Sequence, residues 1–95
     1  MRGVEFEWDE QKAAANLVKH KICFHTAQRV FDDAFALIEL DVSEDYGEER
    51  FLAKGVIAGR IVTVVFTPRG ERTRIISARK ANTDERAKYY RSQTR

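Results

Sequence analysis

The sequence predicts an α+β domain: an antiparallel sheet with two helices before it and one after. Three observations carry this. Residues 36–80 hold four strand-like runs separated by short turns, which implies a meander. Residues 10–31 instead space their apolar side chains three and four apart, as helices do. Residues 82–91 open with a helix-capping signal.

The first element is residues 4–8, VEFEW, where Val4, Phe6 and Trp8 alternate with Glu5 and Glu7 as in a half-buried strand. Asp9 stands at an N-cap position, with Trp8 placed to staple the first turn. Residues 10–20 form the first helix. Ala13, Ala14, Leu17 and Val18 make its apolar stripe, and Lys12, Asn16, Lys19 and His20 share a polar face. That face reads either as a phosphate-contacting surface or as the wet side of a helix. Residues 24–31 form a second helix on Phe24, Ala27, Val30 and Phe31, followed by the pair Asp32 and Asp33.

Residues 36–40 are a short apolar strand, and the acidic stretch 41–49 with Gly47 is a loop or hairpin tip. Residues 51–57 are the next strand, with Gly59 in the turn after it. The run IVTVVF, 61–66, is β-branched and almost wholly apolar, as in a central strand, and Pro68 is expected to end it. Residues 72–79 form the last strand. Alternation puts Arg72, Arg74, Ile76, Ala78 and Lys80 on one face and Thr73, Ile75, Ser77 and Arg79 on the other. Asn82 or Thr83 caps the final helix, and Asn82 with Glu85 has capping-box spacing.

Ninety-five residues make one domain, 1–95, and 43% hydrophobic with 34% charged residues is globular rather than disordered composition. No apolar run approaches the ~20 residues that span a bilayer, and no signal-peptide pattern opens the chain. Cys23 is alone, which leaves no internal disulfide and favours a cytoplasmic setting. Net charge is −6 over residues 1–48 and +8 over residues 49–95. A polyanionic partner for the second half follows from that split.

Cations, two histidines and aromatics are the available chemistry. There is no Gly-rich phosphate loop or Cys/His cluster, and Asp32 with Asp33 has no third ligand at metal-site spacing. Neither a metal nor a cofactor is expected. RNA fits these groups. Arginine binds phosphate bidentately, and the neighbouring 2′-hydroxyl serves as nucleophile, so the protein need only move protons and stabilise charge. His20 is the preferred proton carrier, with Glu85, Tyr89 or a lysine as substitutes and His25 a weaker candidate.

The segments FEWDEQKAAANLVKH, VFDD, VVFTPRGERTRIISARKA and DER with Tyr89 together resemble the BrnT family of toxins from bacterial type II toxin–antitoxin systems. The resemblance runs from Phe6 to about Tyr90. It implies a RelE-like fold, a ribonuclease that blocks translation, and neutralisation by a BrnA-like antitoxin through which alone DNA is contacted. By position it carries over Lys12, Asn16, Lys19 and His20, then Arg69, Arg74, Arg79, Lys80, Glu85 and Tyr89. Two positions depart from the family: Ala34 stands where proline is common after the paired aspartates, and Lys21 where glycine often follows Lys-His.

The expected site has Arg79 and Arg74 on the scissile phosphate, with His20 or Glu85 moving the proton. Lys12, Lys19, Lys54, Arg69, Lys80 and Tyr89 bind RNA. Alternatives are a nucleic-acid-binding module that does not cut, and a module that only binds an antitoxin. A fold that ties Arg74 and Arg79 to carboxylates, away from the first helix, ends the case for this pocket.

Overall fold

The structure is a computed structural model describing residues 5–93, so Val4 of the expected first strand lies outside it. Strand β1 spans Glu5–Glu7, helix α1 Glu10–His20 and helix α2 Phe24–Ala27, which runs into a 3-10 turn Gln28–Asp32. Strands β2 Leu37–Leu40, β3 Phe51–Ile57, β4 Arg60–Arg69 and β5 Arg72–Lys80 follow, then helix α3 Thr83–Arg91. One five-stranded sheet has the order β1-β5-β4-β3-β2.

The α+β class holds, but the sheet is mixed. β2 to β5 form the expected antiparallel meander, whereas β1 runs parallel to β5, pairing Glu5 with Arg72 and Glu7 with Arg74. Residues 8–71, with the helices and β2 to β4, make the long connection that a parallel pair needs. The signal was present as charge: alternate glutamates in β1 meet alternate arginines in β5.

The second helix is also shorter than expected. Phe24, Ala27 and Val30 are all buried and three residues apart, which is the period of a 3-10 helix rather than an α-helix. The chain tightens there so that all three reach the core. Pro68 does not end β4, which continues to Arg69. Beyond Phe66, β4 is paired with β5 alone, so Pro68 occupies an edge segment where a missing donor is tolerated.

Strict alternation also fails in β5. Ile75 and Ala78 are both buried in the core although three apart. A register shift pairs Val65 with Ser77 and Phe66 with Ile75, leaving Ile76 as the extra residue of a bulge. Side chains swap faces across it. Arg74 and Arg79, opposite Thr67 and Thr63, therefore come to the same face, away from the core.

The core lies between the sheet and the α2/3-10 segment. Phe31 packs edge-on to Phe66 with centroids 5.1 Å apart, and Trp8 meets Phe24 and His25 edge-on. Gly55 is required here: an added Cβ would lie 2.9 Å from both Val30 Cγ1 and Val30 O. On the other face, Tyr89 of α3 packs with Ile61 and Ala81. The stripe expected to bury α1 does not do so, since Ala14, Leu17 and Val18 are exposed. Asn16 is the buried residue of that helix. Both predicted caps form: Asp9 accepts from the Gln11 and Lys12 amides, and Asn82 and Glu85 make a reciprocal capping box.

A cationic groove as the candidate functional site

The fold sorts the chain's cations into two groups. The first is tied to carboxylates. Arg74 Nη1 donates to Glu7 Oε2 at 2.7 Å. Arg79 grips Glu85 bidentately at 2.7 and 3.0 Å, and Glu85 also accepts from the Thr63 hydroxyl and the Asn82 amide. Lys54 is 2% exposed, with its Nζ 2.7 Å from Glu39, which also receives Lys88. Arg69 reaches Glu48 at 3.5 Å, and Arg72 lies 3.7 Å from Glu5 and from Glu7.

In the second, Lys12, Lys19, Lys21, Arg60 and Lys80 have no salt bridge among the described residues, and neither do Arg29 and Arg86. The four lysines and Arg60 line three cavities that share walls. Lys12, Lys19 and His20 line one, against Ile76 and Ser77. His20 continues into a second, of 330 Å³, with Lys21, Arg60 and Lys80 around an apolar floor that includes Ile22, Ile57 and Val62. Arg60 and Lys80 also border a third, on the other face of the sheet with Ile61, Ala81 and Arg86. The first two cavities meet at His20, so the α1 C-terminus, the start of β4 and the end of β5 border one groove whose cations have no salt bridge among the described residues, with a half-buried imidazole at the junction.

Such a groove is what a polyanion's phosphates require. Residues 8–85 match the sequence profile of a family described as "Ribonuclease toxin, BrnT, of type II toxin-antitoxin system". The chain belongs to the BrnT family. No curated protein matches it. The matched span takes in α1, β2 to β5 and the first turn of α3, and so contains every cation of the groove.

In this BrnT chain the expected site residues part company. Lys12, Lys19, His20 and Lys80 come together in the groove. Arg74 and Arg79 do not join them: Arg74 turns to β1 and Arg79 to α3, each bound by a carboxylate. The pocket that was to combine both arginines with the α1 face is therefore not assembled. Lys54 and Tyr89 are corrected on burial. Each is at most 3% exposed, and each polar tip is committed, Lys54 to Glu39 and Tyr89 to Asp33. Neither offers a surface to RNA.

Electrostatics separates the proton carriers. Burial pushes Glu85 up, but Arg79, the Asn82 amide and Thr63 outweigh it and hold the carboxyl below its ordinary value. A carboxylate so stabilised is a weak base at neutral pH. Tyr89 is pushed up to about 12 by burial and by its bond to Asp33, so it holds its proton. His20 is left as the imidazole beside the free cations. The residues missed from sequence are Lys21 and Arg60. The β3–β4 and β4–β5 registers place Arg60 and Lys80 on adjoining strands at one end of the sheet, which strand pairing alone could have shown.

Proposed function

We propose that this chain is a metal-independent endoribonuclease of the cytoplasm that inhibits translation by cutting RNA. The single observation carrying this is the groove in which Lys12, Lys19, Lys21, Arg60 and Lys80, none paired with a carboxylate, surround His20. RNA phosphates sit on the lysines and Arg60. His20 takes the proton of the 2′-hydroxyl as its oxygen bonds to phosphorus, the phosphorus–5′-oxygen bond breaks to leave a 2′,3′-cyclic phosphate, and a lysine ammonium of the groove gives its proton to the leaving 5′-oxygen. The cations stabilise the charge that grows on the phosphate. Arg74, Arg79 and Glu85 support the groove by fixing β1 and α3 to β5. A BrnA-like antitoxin is the protein partner, and DNA is met only through it.

The test is cleavage of a defined RNA by purified protein with EDTA present. Activity should persist in chelator, fall steeply in His20→Ala, and fall in Lys80→Ala. Loss of activity in EDTA would overturn metal independence. RNA bound but left intact would move the reading to a nucleic-acid-binding module.

A further inference from the structure

The two edges of the sheet are finished differently. At one edge, β1 has three described residues and carries Glu5 and Glu7, so it is charged as protected edges are. At the other, β2 is outermost and reads Leu-Ile-Glu-Leu. It has no lysine or proline to guard it. Its one charge, Glu39, is neutralised by Lys54 and Lys88.

The Asp41 amide donates inward to Arg50 O, at 2.7 Å. Backbone direction alternates along a strand, so Glu39 also faces β3, while the N–H and C=O groups of Ile38 and Leu40 point off the free edge. The side chains of these two residues are exposed as well. Phe35 (63% exposed) and Val42 (78%) flank them, so that this short segment holds four of the eight large apolar side chains exposed among the described residues. Charge surrounds the patch: residues 32–49 contain eight Asp and Glu and no Lys or Arg.

We infer that β2 is a docking edge on which the antitoxin lays an extended segment, with apolar side chains at alternate positions and basic residues at its ends. Strand addition satisfies the outward backbone groups, and apolar side chains cover Ile38 and Leu40. A second copy of this chain is the poorer occupant, because pairing β2 with β2 brings two acidic stretches together. The edge lies outside the cationic groove, so the toxin can be held without using its RNA-binding lysines. This inference rests on the chain's place in a toxin–antitoxin family and not on cleavage.

The test uses the full chain with the antitoxin of its own system. In the complex, residue-resolved amide exchange should slow at least ~10-fold at Ile38 and Leu40, with little change at the already bonded Glu39 and Asp41. The Ile38→Lys/Leu40→Lys variant should bind antitoxin on the order of 100-fold more weakly, since two buried apolar contacts are lost. RNA cleavage by the free variant should match wild type, which separates this inference from the catalytic one. Unchanged exchange at Ile38 and Leu40, or undiminished affinity in the double variant, overturns the proposal. So does concentration-dependent dimerisation of the free chain that the same variant abolishes, which would assign the edge to a second copy.

Discussion

The side chain of Asn16 clasps the peptide of Ala78. Its Nδ2 donates to Ala78 O at 2.9 Å and its Oδ1 accepts from Ala78 N at 3.1 Å, while Nδ2 also reaches Ile22 O at 2.9 Å. β1 pairs with β5 only as far as Arg74, so Ala78 has no strand partner on that side. Asn16 supplies both missing groups and fixes α1, with its lysines, to β5. Asn16→Ala should therefore cost ~2–4 kcal/mol, because it leaves buried backbone groups unpaired. Lys12→Ala, on the same helix but exposed, should change stability by less than ~0.5 kcal/mol. Urea denaturation of the two variants checks the contrast.

The same residue shows where sequence reading reached its limit. Strand alternation, helical spacing and capping signals located nearly every element, because each depends on neighbours close in the chain. Asn16 lies at helical spacing from Lys12 and His20, and so it read as part of a polar face. Its partner is 62 positions away. Likewise Arg74 and Arg79 were legible as cations, but not as ion-paired ones, since Glu7 and Glu85 reach them only through a parallel strand and a docked helix. The bulge at Ile76 has no local signal, and it decides which face each arginine takes.

Lys21 is the C-cap of α1 with φ 63°, a left-handed conformation that costs an L-residue roughly 1 kcal/mol relative to glycine. Lys21→Gly should raise stability by ~1 kcal/mol and yet weaken RNA binding, because Lys21 lines the groove. Melting curves and RNA titrations on the one variant read both effects.

Gly55 stands where β3 passes beneath the 3-10 turn. An added Cβ would meet Val30 O, a backbone atom that cannot rotate aside, at 2.9 Å. Gly55→Ala should cost ~1–3 kcal/mol through overpacking, despite alanine's smaller backbone entropy loss. The denaturation midpoint should fall with no change in slope.

The sorting of cations predicts how salt affects RNA binding. Each of Lys12, Lys19 and Lys80 that contacts phosphate releases counterions, so its replacement by alanine should lower the slope of log affinity against log salt by ~1. Arg74→Ala should leave the slope nearly unchanged, since its guanidinium is held by Glu7. Filter binding over a range of salt distinguishes the two classes. Equal slopes for Arg74→Ala and Lys80→Ala would show that the groove is drawn wrongly.

Asp33 and Tyr89 set opposite ends of the pH-stability profile. Burial pushes Asp33 up, but the Tyr89 hydroxyl and the Val56 and Phe35 amides outweigh it, so its folded pKa is lowered. Its contribution is present above the ordinary carboxylate range and is lost as pH falls through the depressed folded value. Tyr89 is raised from its ordinary value of 10.0 to about 12, by burial first and Asp33 second. Its contribution is complete below pH 10 and is lost as pH climbs through about 12. Tyr89→Phe should cost ~1.5–3 kcal/mol at neutral pH, the scale of a hydrogen bond to a charged group. It should also remove the part of the alkaline decline that lies between 10 and 12. Ultraviolet titration of the wild type should show one of the three tyrosines ionising late. A Tyr89→Phe protein that declines in alkali as the wild type does would place the latch elsewhere.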